Sequence, residues 1–178
     1  LPISDIPPSA AGAVDIDETD AIVLSTVDTS DGSITVDAGG QITASSVLSL
    51  TDSDTNDVNL TTTAGDISME TVVVGTAGDL SVESVVANIT DVSGATITAD
   101  STTLTANAGG ITIGDNGGDT INFGTLTFVS GGAVVISEDS STQLAGTSTG
   151  DSLVLDSNAA ITDATGATLT VTNHADLA

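Results

Sequence analysis

From Asp15 onward the chain alternates apolar and polar residues in short runs, and each run closes on a cluster of small or turn-forming residues. Ile34 and Val36 lead into Asp37-Ala38-Gly39-Gly40 and then Ile42, and Val58 and Leu60 lead into Thr63-Ala64-Gly65-Asp66 and then Ile67. Val72, Val73 and Val74 precede Thr76-Ala77-Gly78-Asp79, and Ile89 precedes Val92-Ser93-Gly94-Ala95. Leu104 runs into Asn107-Ala108-Gly109-Gly110, Phe128 into Val129-Ser130-Gly131-Gly132, and Leu155 into Ser157-Asn158-Ala159-Ala160. An apolar-x-apolar run with a period of two is a strand with one buried face. No stretch holds apolar residues at helical spacing for two turns, so the pattern predicts an all-β chain.

The corners recur at intervals of roughly 13 to 28 residues, the range of solenoid coils. In a parallel β-helix, equivalent positions of successive coils stack about 4.8 Å apart, and Thr, Ser and Asn form ladders. The alternative is a β-sandwich, in which the same strands pair as hairpins. The segment from Gly114 through Asp115, Asn116, Gly117 and Gly118 to Asp119, between Ile113 and Ile121, is a local hairpin signal in its favour. The likeness of the copies favours the β-helix. Residues 1–14 differ from the rest: they hold Pro2, Pro7 and Pro8 and read as an extended arm or linker, leaving residues 15–178 as the repeat domain.

Composition sharpens this picture. Among 178 residues there is no Lys, Arg, Cys, Trp or Tyr, and Phe123 and Phe128 are the only aromatics. The core must come from Val, Ile, Leu, Ala and Thr, which favours many thin layers over one thick one. The formal charge is −25. Nucleic-acid binding and adhesion to anionic membranes both draw on Lys and Arg, so neither is expected. No apolar run is long enough for a membrane helix, and no signal peptide is visible. Charge this high suggests disorder, but the β-branched content is too high for that.

The phrases SITVDAGGQITA, VNLTTTAGDISM and TLTANAGGITIG resemble the repeats of filamentous-haemagglutinin-type exoproteins. The segments INFGTLTFVSGGAVVISEDSSTQLAG and SLVLDSNAAITDATGATLTV are similar to repeats of very large bacterial surface proteins. The resemblance spans roughly residues 20–178. It implies a right-handed parallel β-helix on the bacterial cell surface, and it brings no catalytic residue with it.

Most acids are Asp, a turn residue and a calcium ligand. Asp52, Asp54, Asn56 and Asp57 set oxygens at near-alternate positions, as a loop around a hard cation requires, although the EF-hand Gly and terminal Glu are missing. Asp115 and Asp119 flank a glycine pair like that of calcium-binding β-roll repeats. Asp15, Asp17, Glu18 and Asp20 form a further acidic group, suited to an intersubunit site. Stacked carboxylates about 5 Å apart repel by ~0.8 kcal/mol in water. With no Lys or Arg to pair them, only bound cations, salt or protonation relieve that repulsion.

Catalytic signals are thin. Gly146-Thr147-Ser148-Thr149-Gly150 matches the G-x-S-x-G elbow of serine hydrolases, with Asp163 and His174 following in order. The elbow needs a helix after its turn, and the residues that follow, Ser152 to Leu155, read as a strand. A lone His excludes a multi-histidine metal site within one chain, and a sugar-cleaving β-helix lacks Trp or Tyr to stack its substrate. The expected role is therefore non-catalytic: a structural segment or self-assembling subunit of an extracellular fibre, stalk or adhesin. Its partner is expected to be itself, end to end. The alternative is an adhesin module recognising a host receptor or glycan.

Overall fold

The computed structural model describes residues 11–178 and the backbone of Pro2 and Ile3. These residues contain no helix, and their strands pair in parallel around a β-solenoid of about seven turns. Sandwich hairpins would pair antiparallel, so the β-helix is the architecture.

Strand β1 (Pro2–Ile3) lies in parallel on the chain's own β3 (Ile22–Leu24), with Pro2 opposite Val23. Residues 1 and 4–10, most of the arm, fall outside the described residues. The first coil is β2 (Val14–Glu18), β3 and β4 (Val27–Thr29), one strand on each of three faces. In the second coil β5 (Ile34–Ala38) takes the first face, and the halves of β6 (Ile42–Ser49) take the second and third. Strands β7 (Val58–Thr62) and β8 (Ile67–Val73) repeat this. After β9 (Leu80–Ser84), the long β10 (Ile89–Ala106) passes through the second and third faces and on to the first face of the next coil. Then come β11 (Ile111–Ile113), β12 (Thr120–Ser130) and β13 (Ala133–Glu138). Strands β14 (Thr142–Leu144), β15 (Thr147–Ser157), β16 (Ile161–Asp163) and β17 (Thr168–Leu177) follow.

In-register stacking turns the alternation into columns. On the second face Ile22, Ile42, Ile67, Ile89, Ile111, Val134, Leu153 and Ala175 lie one above another. On the first face Ile16, Val36, Leu60, Val82, Leu104 and Phe128 do the same. From Ile22 to Leu153 the first column is buried, and each such side chain contributes about 1.5–3 kcal/mol relative to exposure. Both phenylalanines point inward, and Phe123 stacks on the small Ala99, which leaves room for its ring. Buried hydroxyls tie the corners: Ser49 donates to the Gly32 carbonyl at 3.2 Å, and Ser84 and Ser130 donate to those of Gly65 and Gly109 at 2.9 Å.

Two details differ from the sequence reading. The Gly114–Asp119 segment makes no hairpin; it carries the chain from the second face to the third, because Ile113 and Ile121 each pair in parallel with other coils. The seven look-alike corners are also not equivalent. Gly39-Gly40, Gly65-Asp66, Gly109-Gly110 and Gly131-Gly132 share the corner between the first and second faces. Gly78-Asp79 turns from the third face to the first, Ser93-Gly94 from the second to the third, and Ser157-Asn158-Ala159-Ala160 from the second face to β16. Each corner demands a tight turn, so each selects the same small residues.

The third face stops early. Its last strand is the first half of β12, where Thr120 to Phe123 stack on Thr96 to Ala99. The following coil supplies the turn from Glu138 to Ser141 there instead of a strand. The described residues include no helix long and apolar enough to cross a membrane.

Candidate metal centre and the carboxylates around it

The second inward column of the second face runs Leu24, Ala44, Met69 and then Asp91. It resumes with Ile113, Ile136 and Leu155. Asp91 pairs with Met69 and directly follows Thr90, the partner of Thr112. A carboxylate therefore stands where every neighbouring coil buries an apolar side chain. Straight after it the ladder shifts register: Val92, Ser93 and Gly94 are exposed and Ala95 is buried again before Thr96 rejoins Thr71.

The bulge and the Gly114–Asp119 loop of the next coil stack on each other, and three acids converge there. Asp91, Asp115 and Asp119 each bring a carboxylate oxygen within 4.8 Å of the others, the one such group of three or more among the described residues. Asp91 Oδ2 accepts the Gly114 N–H at 2.8 Å. Asp119 accepts the N–H groups of Gly94 and Ala95 at 2.7 and 3.1 Å through Oδ1, and that of Asn116 at 2.9 Å through Oδ2. The Asn116 side chain donates to Asp115 at 2.8 Å. Asp91 Oδ1 is sealed from solvent and has no hydrogen-bond partner. Burial, followed by the charges of Asp119 and Asp115, pushes the Asp91 carboxyl up to about 6 against the pull of the Gly114 N–H. Beside the group lies a polar cleft of about 300 Å³ lined by Gly114, Asp115, Asn116, Asp119, Ser137 and Asp139, among others.

Of the residues singled out from sequence, the structure brings Asp115 and Asp119 together and adds Asp91. The Asp52–Asp57 loop is organised otherwise. Asp52 accepts the Thr76 hydroxyl and N–H, both at 2.7 Å, and the Ala77 N–H at 2.8 Å; the Thr76 hydroxyl is the main reason its carboxyl sits below the usual range. Asn56 is buried and donates to Asp31 at 2.8 Å and to the Thr51 carbonyl at 3.0 Å. Asp57 accepts the Asp79 N–H at 3.1 Å, and Asp54 is exposed. In this loop the oxygens hold the next coil's backbone. The same device recurs at other corners: Ser33 takes the Asp57 N–H, Asp66 that of Asn88, and Asn88 in turn that of Gly110. Asp79 is pushed upward, first by burial and then by the charge of Asp57.

Thr147 to Gly150 of the G-x-S-x-G match lie in β15, with Ser148 buried and donating no proton to a histidine; its hydroxyl accepts the Phe128 N–H at 3.1 Å. His174 is exposed on β17, in register with Ser152.

Asp91 had a signal in the sequence that alternation alone does not reveal. Aligned by register, the repeats read Ile22-x-Leu24, Ile42-x-Ala44, Ile67-x-Met69, Ile89-x-Asp91 and Ile111-x-Ile113. The acid stands out only once the register is known. No protein-family profile matches the chain, and no curated protein or solved structure matches it.

Proposed function

We propose that this chain is a structural segment or self-assembling subunit of an extracellular bacterial surface fibre, stalk or adhesin, of the filamentous-haemagglutinin style that its repeats resemble. The observation that carries this reading is the in-register stacking of whole coils, which makes length the product of the fold. About seven coils at the 4.8 Å strand spacing give a rise of roughly 34 Å. Between neighbouring coils, conserving the column matters more than any single side chain, and the chemistry of the faces is that of spacers: hydroxyls, amides and carboxylates without an aromatic platform. The role is non-catalytic. End-to-end stacking of such coils is a heterologous contact, which builds open filaments.

Calcium belongs to the same proposal. Asp91, Asp115 and Asp119 offer only hard oxygen donors, the set that suits calcium and not zinc. A cation there gives Asp91 Oδ1 a partner and offsets three converging charges. Small-angle scattering and electron microscopy of the purified chain, in calcium and then in EDTA, test the fibre role. Elongated particles, or filaments that calcium promotes, support it; compact, isotropic particles in both conditions contradict it.

A further inference from the structure

The N–H groups of inward-facing residues point towards the next coil: Ile22 donates to the Gln41 carbonyl, Ile42 to that of Asp66 and Ile67 to that of Asn88. Where the third face stops, Ile121 and Phe123 have no following strand to receive theirs. Two side chains stand in for its carbonyls. Asp139 accepts the Ile121 N–H at 2.9 Å, and Glu138 accepts the Phe123 N–H at 3.2 Å. The Asp139 N–H donates back to the Ile121 carbonyl at 2.9 Å. The other Glu138 oxygen lies 2.8 Å from the Thr142 hydroxyl, from which it accepts when ionised and to which it donates its proton when neutral, and at 2 % exposure Glu138 is the one buried acid among the described residues. An open parallel edge has thus been closed by a pair of carboxylates.

We propose that Glu138 is a protonation-controlled latch: in its neutral form it holds the turn from Glu138 to Thr142 against the edge of β12, and its ionisation releases that turn. The groups facing it make this a switch. Phe123 on β12 and Thr142 on β14 are uncharged. The acids nearby are Asp139 on the same turn and Asp156, which borders the same cleft from β15, and the chain has no Lys or Arg to offset them. Burial pushes the Glu138 carboxyl up to about 7, with Asp139 adding to the rise, against the Thr142 and Phe123 hydrogen bonds. The folded form therefore holds a proton that the released form, near the ordinary value of 4.5, gives up. The latch is fully closed below that value and weakens as pH rises through about 7. This stands independently of the fibre role.

The test is amide hydrogen exchange on the intact chain between pH 5.5 and 8, corrected for intrinsic rates, with Leu60 as a remote reference. The opening constant read at Phe123 is expected to rise about tenfold or more relative to Leu60. Glu138→Gln keeps an acceptor for Phe123 and cannot ionise, so its ratio should stay flat. Equal pH dependence in both proteins, or a flat wild type, overturns the proposal. Carboxyl carbon NMR of the wild type gives a reading that needs no variant: a Glu138 midpoint near 7 supports the latch, and one near 4.5 overturns it.

Discussion

The second and third coils and the stretch from β10 to β14 are built on the same ladder but filled differently. In β5 to β8 every inward strand position is apolar or a small hydroxyl: Ile34, Val36, Ile42, Ala44, Val47 and Ser49, then Val58, Leu60, Thr62, Ile67, Met69 and Val72. Further along, Asp91 replaces the apolar side chain of its column, and Glu138 faces inward where the third face ends. The inward strand positions of the first region answer to packing alone. The second answers to packing and to the state of its carboxylates, because the sequence supplies no Lys or Arg to neutralise them. One fold thus contains a stretch whose inward strand positions are uncharged and a stretch that sets carboxylates among them.

The sharpest contrast comes from the core of the regular coils. Leu60→Ala removes a fully buried side chain between Val36 and Val82 and is expected to cost about 3 kcal/mol by chemical denaturation, at pH 5 as at pH 8. The acidic stretch should behave differently with pH. Glu138 binds a proton more tightly in the folded chain than in the unfolded one, so stability should fall by on the order of 2 kcal/mol as pH climbs from 4.5 through about 7. Glu138→Gln should remove its share of that slope and leave the share of Asp91, whose carboxyl is also held high, at about 6. Acid denaturation usually runs the other way, through carboxylates that the fold holds ionised; Asp52, kept low by its Thr76 and Ala77 hydrogen bonds, is such a group here and acts below that window.

Asp91→Ile restores the apolar column, and in EDTA it should raise stability by about 1–2 kcal/mol, read from the urea midpoint. A fall of similar size would show that the Gly114 hydrogen bond matters more than the buried charge. A smaller effect is expected at Gly75, whose φ of +101° and close approach to the Asp52 carboxylate leave no place for a β-carbon. Gly75→Ala should cost about 1 kcal/mol and loosen the Thr76 and Ala77 amides.

The strand content and the small-residue corners were legible in the sequence because alternation and small-residue turns are local properties. Register was not. The corner at Gly78 and the corner at Gly109 meet the same steric demand, so they look alike although they lie on different edges of the coil. Asp115 and Asp119 were legible as ligand types within one loop, but Asp91 joins them from the preceding coil through stacking. Asp52 illustrates the converse: a residue spaced like a cation ligand spends its oxygens on the backbone of the next coil. Glu138 gave no signal, because its burial follows from a strand that is missing on the third face.

The most direct test of the proposed calcium site is the melting temperature of the wild type and of Asp91→Ile at pH 7.5, each in EDTA and in millimolar calcium. At a hundredfold excess over the dissociation constant a ligand adds about 2.7 kcal/mol, which for a chain of this size raises the melting temperature by about 5 °C or more. The expected result is that rise in the wild type and none in Asp91→Ile; equal shifts in the two proteins, or no shift in the wild type, would contradict a calcium site at Asp91, Asp115 and Asp119.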